Sequence, residues 1–381
     1  MHTVQPSIMI GSYTWDQDRL PRDEFEIRVA ELHRAMDKHG WRAIFIHGDA
    51  REHSALAYYT NFVPRLRWAL ALIPREGEPR LLLSMSSRDM PAMKLATWIG
   101  DVVCGWQWEK AFDEWLAGLK GADPIGVGTI GFDLIQPRLL RSIEGSIGER
   151  IRLNAADGFA SADRALRPRE LTLLREACSV AKEAARAMVK SWRGGEGAET
   201  AVMAGERTAR AMAALDVRTL VSLDGGRTLV PFRGEFKAKN GSLVAYIAVN
   251  VKGYWAELFV TVEEGAGGLL PGVLSGLDAL KVSMRPGVTG VQLHAQVRNA
   301  LGSRPLHPVL GESLGRRIGL SLNEGVDLRR DSGRPVVVGD VYALHIGVRE
   351  PAGGGALASA MVAVTANGPE ILCGSQDAFA P

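Results

Sequence analysis

The sequence predicts an α+β protein of two domains, and three observations carry that prediction. The chain has 381 residues, more than one core of ordinary size accommodates and fewer than four would need. Its first half alternates helical and strand periodicities, whereas its second half sets a long helix ahead of paired antiparallel strands. Hydrophobic residues make up 46% of the chain and charged residues 23%, so there is ample apolar surface to bury and no composition that favours disorder.

From the N-terminus, residues 23–39 place Phe25, Ile27, Val29, Leu32 and Met36 at helical spacing and end at Gly40, which predicts a surface helix. A short apolar strand at 41–47, a helix-like stretch at 51–59 and an apolar strand at 67–74 follow. Between 131 and 164 the pattern relaxes into short segments punctuated by Pro137, Asn154 and Gly158. A long helix then runs from Pro168 to about Trp192: Pro168 suits the first helical position, Glu170 makes the first turn acidic, and Gly194 and Gly195 stop it. The predicted boundary lies near residue 160, giving domains 1–160 and 161–381.

The second domain continues with a helix at 199–215 and strands at 243–251 and 254–262, separated by Lys252 and Gly253 at hairpin spacing. A helix at 290–301 and strands at 341–348 and 360–365 complete the pattern. Gly353, Gly354 and Gly355 predict a flexible turn between two strands, with a functional lid as the alternative.

Composition narrows the function. The 45 basic and 43 acidic residues leave a net charge of +2, which offers no dedicated nucleic-acid surface. The longest apolar runs fall short of the roughly 20 residues that cross a bilayer, so no membrane span is expected. The first residues lack the basic start and apolar stretch of a secretory signal, and the expected location is cytoplasmic. Three scattered cysteines, Cys104, Cys178 and Cys373, fit reduced thiols better than disulfides or a zinc site.

Four segments resemble, in order, consecutive motifs of the creatinase, prolidase and methionine aminopeptidase family. Residues 253–261, Gly-Tyr-Trp-Ala-Glu-Leu-Phe-Val-Thr, resemble the family's Gly-Tyr-x-x-Asp-x-x-Arg-Thr strand. Residues 315–324, Gly-Arg-Arg-Ile-Gly-Leu-Ser-Leu-Asn-Glu, resemble Gly-His-Gly-Ile-Gly-Leu-x-x-His-Glu. Residues 339–348 are similar to Gly-Met-x-Phe-Thr-Ile-Glu-Pro-Gly-x, and 364–372 to the closing Val-Thr-x-x-Gly-x-Glu-x-Leu. The helix opening at 167–170 and Tyr58-Tyr59-Thr60-Asn61-Phe62 extend the resemblance to nearly the whole chain. It implies a creatinase-like N-terminal α/β domain followed by a pita-bread catalytic-type domain.

The same resemblance implies a degenerate centre. Family metalloenzymes hold two divalent ions with two Asp, one His and two Glu, because hard cations need several anionic oxygens. Those positions here are Tyr246, Glu257, Arg316, His345 and Ser359. Only Glu257 and His345 could ligate, and Arg316 sets a fixed positive charge where the cations would sit. No metal ligands and no cofactor are therefore expected. Asn323 stands where the family has a substrate-contacting histidine, and Phe232 where creatinase, itself metal-free, has its acid–base histidine.

Several residues could still carry chemistry. Strand alternation puts His345 on a face with Val341, Ala343 and Gly347, small residues that leave room beside it, and makes it the best acid–base candidate. A core histidine bonded to a neighbour is the alternative. Glu257 shares its face with Trp255 and Phe259: unpaired, its pKa would rise and suit a general acid, whereas an ion pair with Arg316, the favoured reading, would lower it. Glu324 is a second candidate carboxylate, with a solvated or structural role as the alternative, and Tyr246 a buried hydroxyl donor or a packing residue. Arg316 and Arg317 could bind a carboxylate bidentately, with a surface position for one of them as the alternative. Arg65 and Arg67 precede an apolar strand, and the segment resembles a creatinase stretch whose arginine comes from the neighbouring subunit. Carried over to Arg67, this implies a homodimer in which N-terminal residues complete the neighbour's site; a solvent-exposed Arg before an edge strand is the alternative.

The expectation is a metal-independent enzyme acting, by hydrolysis or a related lyase or cyclising step, on a C–N bond of a small carboxylate-bearing amidino or acyl amino-acid compound. Its rival is a catalytically silent pseudo-peptidase that binds a peptide or protein. A retained metallopeptidase is the reading the replaced ligands oppose most directly.

Overall fold

The structure, a computed structural model, describes residues 14–156, 158–159, 164–222, 224–231, 242–263, 268–351 and 353–379. The chain divides into two compact units, Met1–Arg164 and Ala165–Pro381.

Unit 1 contains α1 (Arg22–His39), β1 (Ala43–Asp49), α2 (Ser54–Thr60), β2 (Trp68–Pro74), β3 (Arg80–Leu83), α3 (Met90–Met93), β4 (Asp101–Cys104), α4 (Trp108–Ala117), β5 (Ile125–Ile130), α5 (Pro137–Ile147) and β6 (Ile151–Ala155). Its six strands form one mixed sheet in the order β4-β3-β2-β1-β5-β6, with β3–β4, β1–β5 and β5–β6 parallel. The strands β1 and β2 are buried along their whole length, as expected for a sheet covered on both faces. On α1, Phe25, Val29, Leu32 and Met36 are buried as the periodicity requires, but Ile27 is 47% exposed. The short segments that the sequence suggests for 131–164 include α5 and β6. Leu139, Ile143 and Ile147 face inward at four-residue spacing, a pattern that Pro137 opens rather than breaks, since proline is tolerated at N1.

Unit 2 opens with α6 (Pro168–Arg193) and α7 (Ala198–Ala211), then β7 (Asp216–Val221), β8 (Val230–Pro231), β9 (Ser242–Val251) and β10 (Tyr254–Glu263). Helices α8 (Leu270–Ser283) and α9 (Gly290–Leu301) precede β11 (Ser313–Arg317), β12 (Asp327–Arg329), β13 (Val341–Arg349), β14 (Gly355–Thr365) and β15 (Gly368–Gly374). Among the described residues its strands form two sheets, β10-β9-β7-β8 and β12-β11-β13-β14-β15, and every pairing in them is antiparallel. Helix α6 packs on β9 and β10, and α8 on β13 and β14. The buried face of α6 carries Ala177, Ala181, Ala184 and Ala185, small side chains that let a helix backbone approach a sheet closely.

Two local devices set the frame. Lys252 and Gly253 both have positive φ, 51° and 93°, the type I′ geometry that matches hairpin twist and registers Glu257 opposite Ala248 and Phe259 opposite Tyr246. Hydroxyls then stitch β10 to β14 across the two sheets. The Phe259 N–H donates to Ser359 Oγ at 2.7 Å, Ser375 Oγ donates to the Phe259 carbonyl at 2.7 Å, and Thr261 Oγ1 donates to the Leu357 carbonyl at 2.8 Å. Among the described residues no helix is long and apolar enough to cross a membrane.

At the start of α6, Glu170 is fully buried. Its carboxylate accepts the Arg167 N–H at 3.0 Å and the Tyr254 hydroxyl at 3.0 Å, so helix and hairpin share one anchor. Glu170→Ala leaves buried donors unsatisfied, and urea unfolding of the whole chain should show a loss of about 2–3 kcal/mol. Tyr254→Phe, which removes only the hydroxyl, should cost about 1 kcal/mol.

Candidate functional site

Register alone brings the five positions of the sequence-predicted centre together. On the four-stranded sheet Tyr246 lies opposite Phe259, one pleat from Glu257, so their side chains share a face. On the five-stranded sheet Arg316 lies opposite Ala343 and His345 opposite Ser359, with Ala343 and His345 on one face. The two faces meet, and Glu257 is the point of contact.

The Glu257 carboxylate is 1% exposed and fully engaged. Oε1 accepts from His345 Nε2 at 2.5 Å. Oε2 accepts from Arg316 Nη2 at 2.6 Å and from the Tyr246 hydroxyl, while Arg316 Nη2 also approaches that hydroxyl at 3.4 Å. Phe259 closes one side, its ring 5.1 Å from Tyr246 and 5.3 Å edge-on from His345. Burial alone would drive the Glu257 carboxyl up. The charge and hydrogen bond of His345, then Arg316 and Tyr246, outweigh it and hold the pKa down to about 2. The Tyr246 hydroxyl is pushed well up by burial and by the adjacent carboxylate, so it stays protonated and donates. Burial opposes the charge on Arg316, but Glu257 more than compensates and raises its pKa.

This arrangement fixes what each group can do. Because Nε2 faces an ionised carboxylate, the His345 proton resides there, and Nδ1 makes no hydrogen bond among the described residues. Arg316 uses Nη2 alone, its Nε has no partner among the described residues, and its side chain remains 29% exposed. Both oxygens of Glu257 are thus engaged by neighbouring side chains.

The sequence expected a paired Glu257–Arg316, and the two are bonded. It also expected room beside His345, which needs correction at Gly347: a Cβ there would lie 2.3 Å from Leu357 and 2.9 Å from His307, so that glycine makes way for packing. Ser359 is fully buried and spends its hydroxyl on the Phe259 N–H.

Other expected site residues lie elsewhere. Arg317 alternates away from Arg316 and is 1% exposed. Its Nε lies 3.3 Å from Asp340 Oδ1 and 3.7 Å from Glu324 Oε2, and Asp340 also accepts the Tyr342 hydroxyl at 3.1 Å. Glu324 accepts the Leu320 N–H at 3.1 Å. Arg317 and Glu324 are thus members of a second buried ionic cluster, which for Glu324 is the structural role the sequence left open. Asn323 is exposed and accepts the Gly325 N–H at 2.8 Å, shaping a turn. Phe232 lies outside the described residues. In unit 1, Arg65 is half-buried and Arg67 exposed at the start of β2, with φ 55°.

The fold and the converged polar centre define a creatinase-like, two-domain protein with a hydrolase fold. The chain belongs to the metallopeptidase family M24, whose model matches residues 172–366. The prolidase of Pyrococcus horikoshii superposes with a TM-score of 0.75 at 17% identity, over 91% of this chain and 97% of its own. The X-Pro aminopeptidase of Thermotoga maritima gives 0.75 at 18%, over 91% and 97%. The N-terminal domain of the FACT complex subunit SPT16 from Cicer arietinum gives 0.67 at 14%, over 92% and 96%. No curated protein matches the chain by sequence.

The family implies a pair of divalent ions, and these residues do not fit them. Glu257 already binds a guanidinium, an imidazole and a phenol, and no group of three His, Cys, Asp or Glu suited to a metal occurs among the described residues. Ser359 and Tyr246 carry neutral hydroxyls, so the first-row donors reduce to one carboxylate and one histidine.

The Glu257 pKa sets a pH dependence. Its folded value of about 2 lies below the reference 4.5, so its contribution is complete above about 4.5 and is lost as pH falls through 2. Between pH 5 and 2 the wild type should lose about 3 kcal/mol more unfolding free energy than Glu257→Gln. Parallel pH profiles would contradict the pairing. Arg317→Ala strands two buried carboxylates and should cost about 3–5 kcal/mol, measured by urea unfolding at pH 7.

Proposed function

We propose that the protein is a metal-independent member of its family, acting on a C–N bond of a small carboxylate-bearing compound, an amidino or acyl amino acid. One observation carries this: a single buried carboxylate holds both His345 by Nε2 and Arg316 by Nη2, leaving His345 Nδ1 and Arg316 Nη1 for a substrate. A carboxylate-oriented imidazole is a general base whose second nitrogen does the work, and a guanidinium fixed on one side presents its other donors to an anion.

In the hydrolytic form, Arg316 holds the substrate carboxylate. His345 Nδ1 takes a proton from water as the water oxygen bonds to the carbon, and returns it to the nitrogen as the C–N bond breaks. Glu257 keeps the imidazole in the required tautomer and offsets the imidazolium charge. Tyr246 holds Glu257 ionised. A homodimer in which Arg67 reaches the neighbour's substrate is part of this proposal, supported by the exposure of Arg67 and its family counterpart.

The test is a thermal-shift and turnover screen of chelator-treated protein against amidino, acyl and dipeptide carboxylates. A substrate should stabilise the wild type but not Arg316→Ala, and His345→Ala should lower kcat by about 10²–10⁴. Turnover that requires added Mn²⁺ or Co²⁺, including restored X-Pro cleavage, would contradict the proposal. A peptide that binds without turnover would favour the silent binding module.

A further inference from the structure

Unit 1 contains a cleft of about 850 Å³ lined by its own residues, a volume that suits a small ligand. It opens where β3 and β4 end and β2 begins, with the first turns of α4 and α5 beside it. That is the edge at which α/β sheets bind ligands, beyond the carboxyl ends of parallel strands.

Its chemistry is aromatic and cationic. Trp106 is 93% exposed, an unusual setting for the largest apolar side chain. Trp68 and Trp108 meet edge to face at 5.1 Å, giving the cleft a fixed aromatic wall. Arg138 is exposed and makes no ion pair among the described residues, and Arg67 stands at the rim. The one acidic lining residue, Glu109, is occupied by the Ser142 hydroxyl at 2.9 Å. Neither α4 nor α5 has a side-chain cap, so their first-turn N–H groups add to the positive potential around Arg138.

We infer that this cleft binds a small planar aromatic anion: the ring lies against Trp106 and Trp108, and its carboxylate or phosphate meets Arg138. Indole faces stack planar rings, and a guanidinium pairs with either anion. This cleft is lined by unit 1 residues alone and does not rest on the proposed reaction.

Isothermal titration of the whole chain with 2-naphthoate and 2-naphthyl phosphate tests it, with 2-naphthamide and cyclohexanecarboxylate as controls for charge and planarity. One site is expected. Affinity should fall at least tenfold in Trp106→Ala and in Arg138→Ala, survive in Trp106→Phe, and be at least tenfold weaker for both controls. The stronger of the two anions identifies the headgroup. His345→Ala should bind as the wild type does. Absent binding, equal binding by all variants, or loss of binding in His345→Ala would overturn the inference. So would sedimentation showing that Trp106→Ala converts a dimer to monomer, because a second copy would then cover the cleft.

Discussion

The second unit is organised around one carboxylate that cannot be left alone. Glu257 is removed from water on β10, and a bare carboxylate there would be protonated or would unfold its surroundings. Three donors from three other strands prevent this: Tyr246 from β9, Arg316 from β11 and His345 from β13. The Arg316 and His345 bonds also tie the four-stranded sheet to the five-stranded one. The hydroxyls of Ser359, Ser375 and Thr261 complete the seam, so stability and site geometry have a common origin.

The comparison with the family gains a physical meaning here. A pair of divalent cations would be held by carboxylates whose mutual repulsion the metal offsets. In this chain a guanidinium, a phenol and an imidazole surround the one carboxylate among these positions. The exchange is chemically coherent. Adding Arg316 without keeping Glu257 would bury an unpaired cation, and keeping Glu257 without Arg316 would leave the carboxylate short of a partner.

Much of this was legible in the sequence. Hydrophobic period and punctuation placed α1, α6, the β9–β10 hairpin, α9 and β13, because in each the burial pattern and the end signals agree. The pairing of Glu257 with Arg316 followed from motif positions that converge only in three dimensions. The α5–β6 segment was not legible, since Pro137 reads as a breaker unless the helix is known to begin there. Arg317 lies apart from Arg316 for a different reason. Adjacent strand residues point to opposite faces, and nothing in the local sequence announced Asp340 and Tyr342 as the partners that draw Arg317 inward. The room expected beside Gly347 was filled by Leu357 and His307, which are distant in sequence and invisible to alternation.

The central claim is that a proton-bearing histidine and an arginine on one buried carboxylate stand where cations would. It is tested most directly by selective ¹⁵N-histidine NMR, assigned with His345→Gln and recorded with and without Mn²⁺. His345 should appear protonated on Nε2, with a proton protected from exchange by Glu257 and a signal that Mn²⁺ leaves unbroadened. An Nδ1–H tautomer, or selective loss of the His345 signal on adding Mn²⁺, would contradict it.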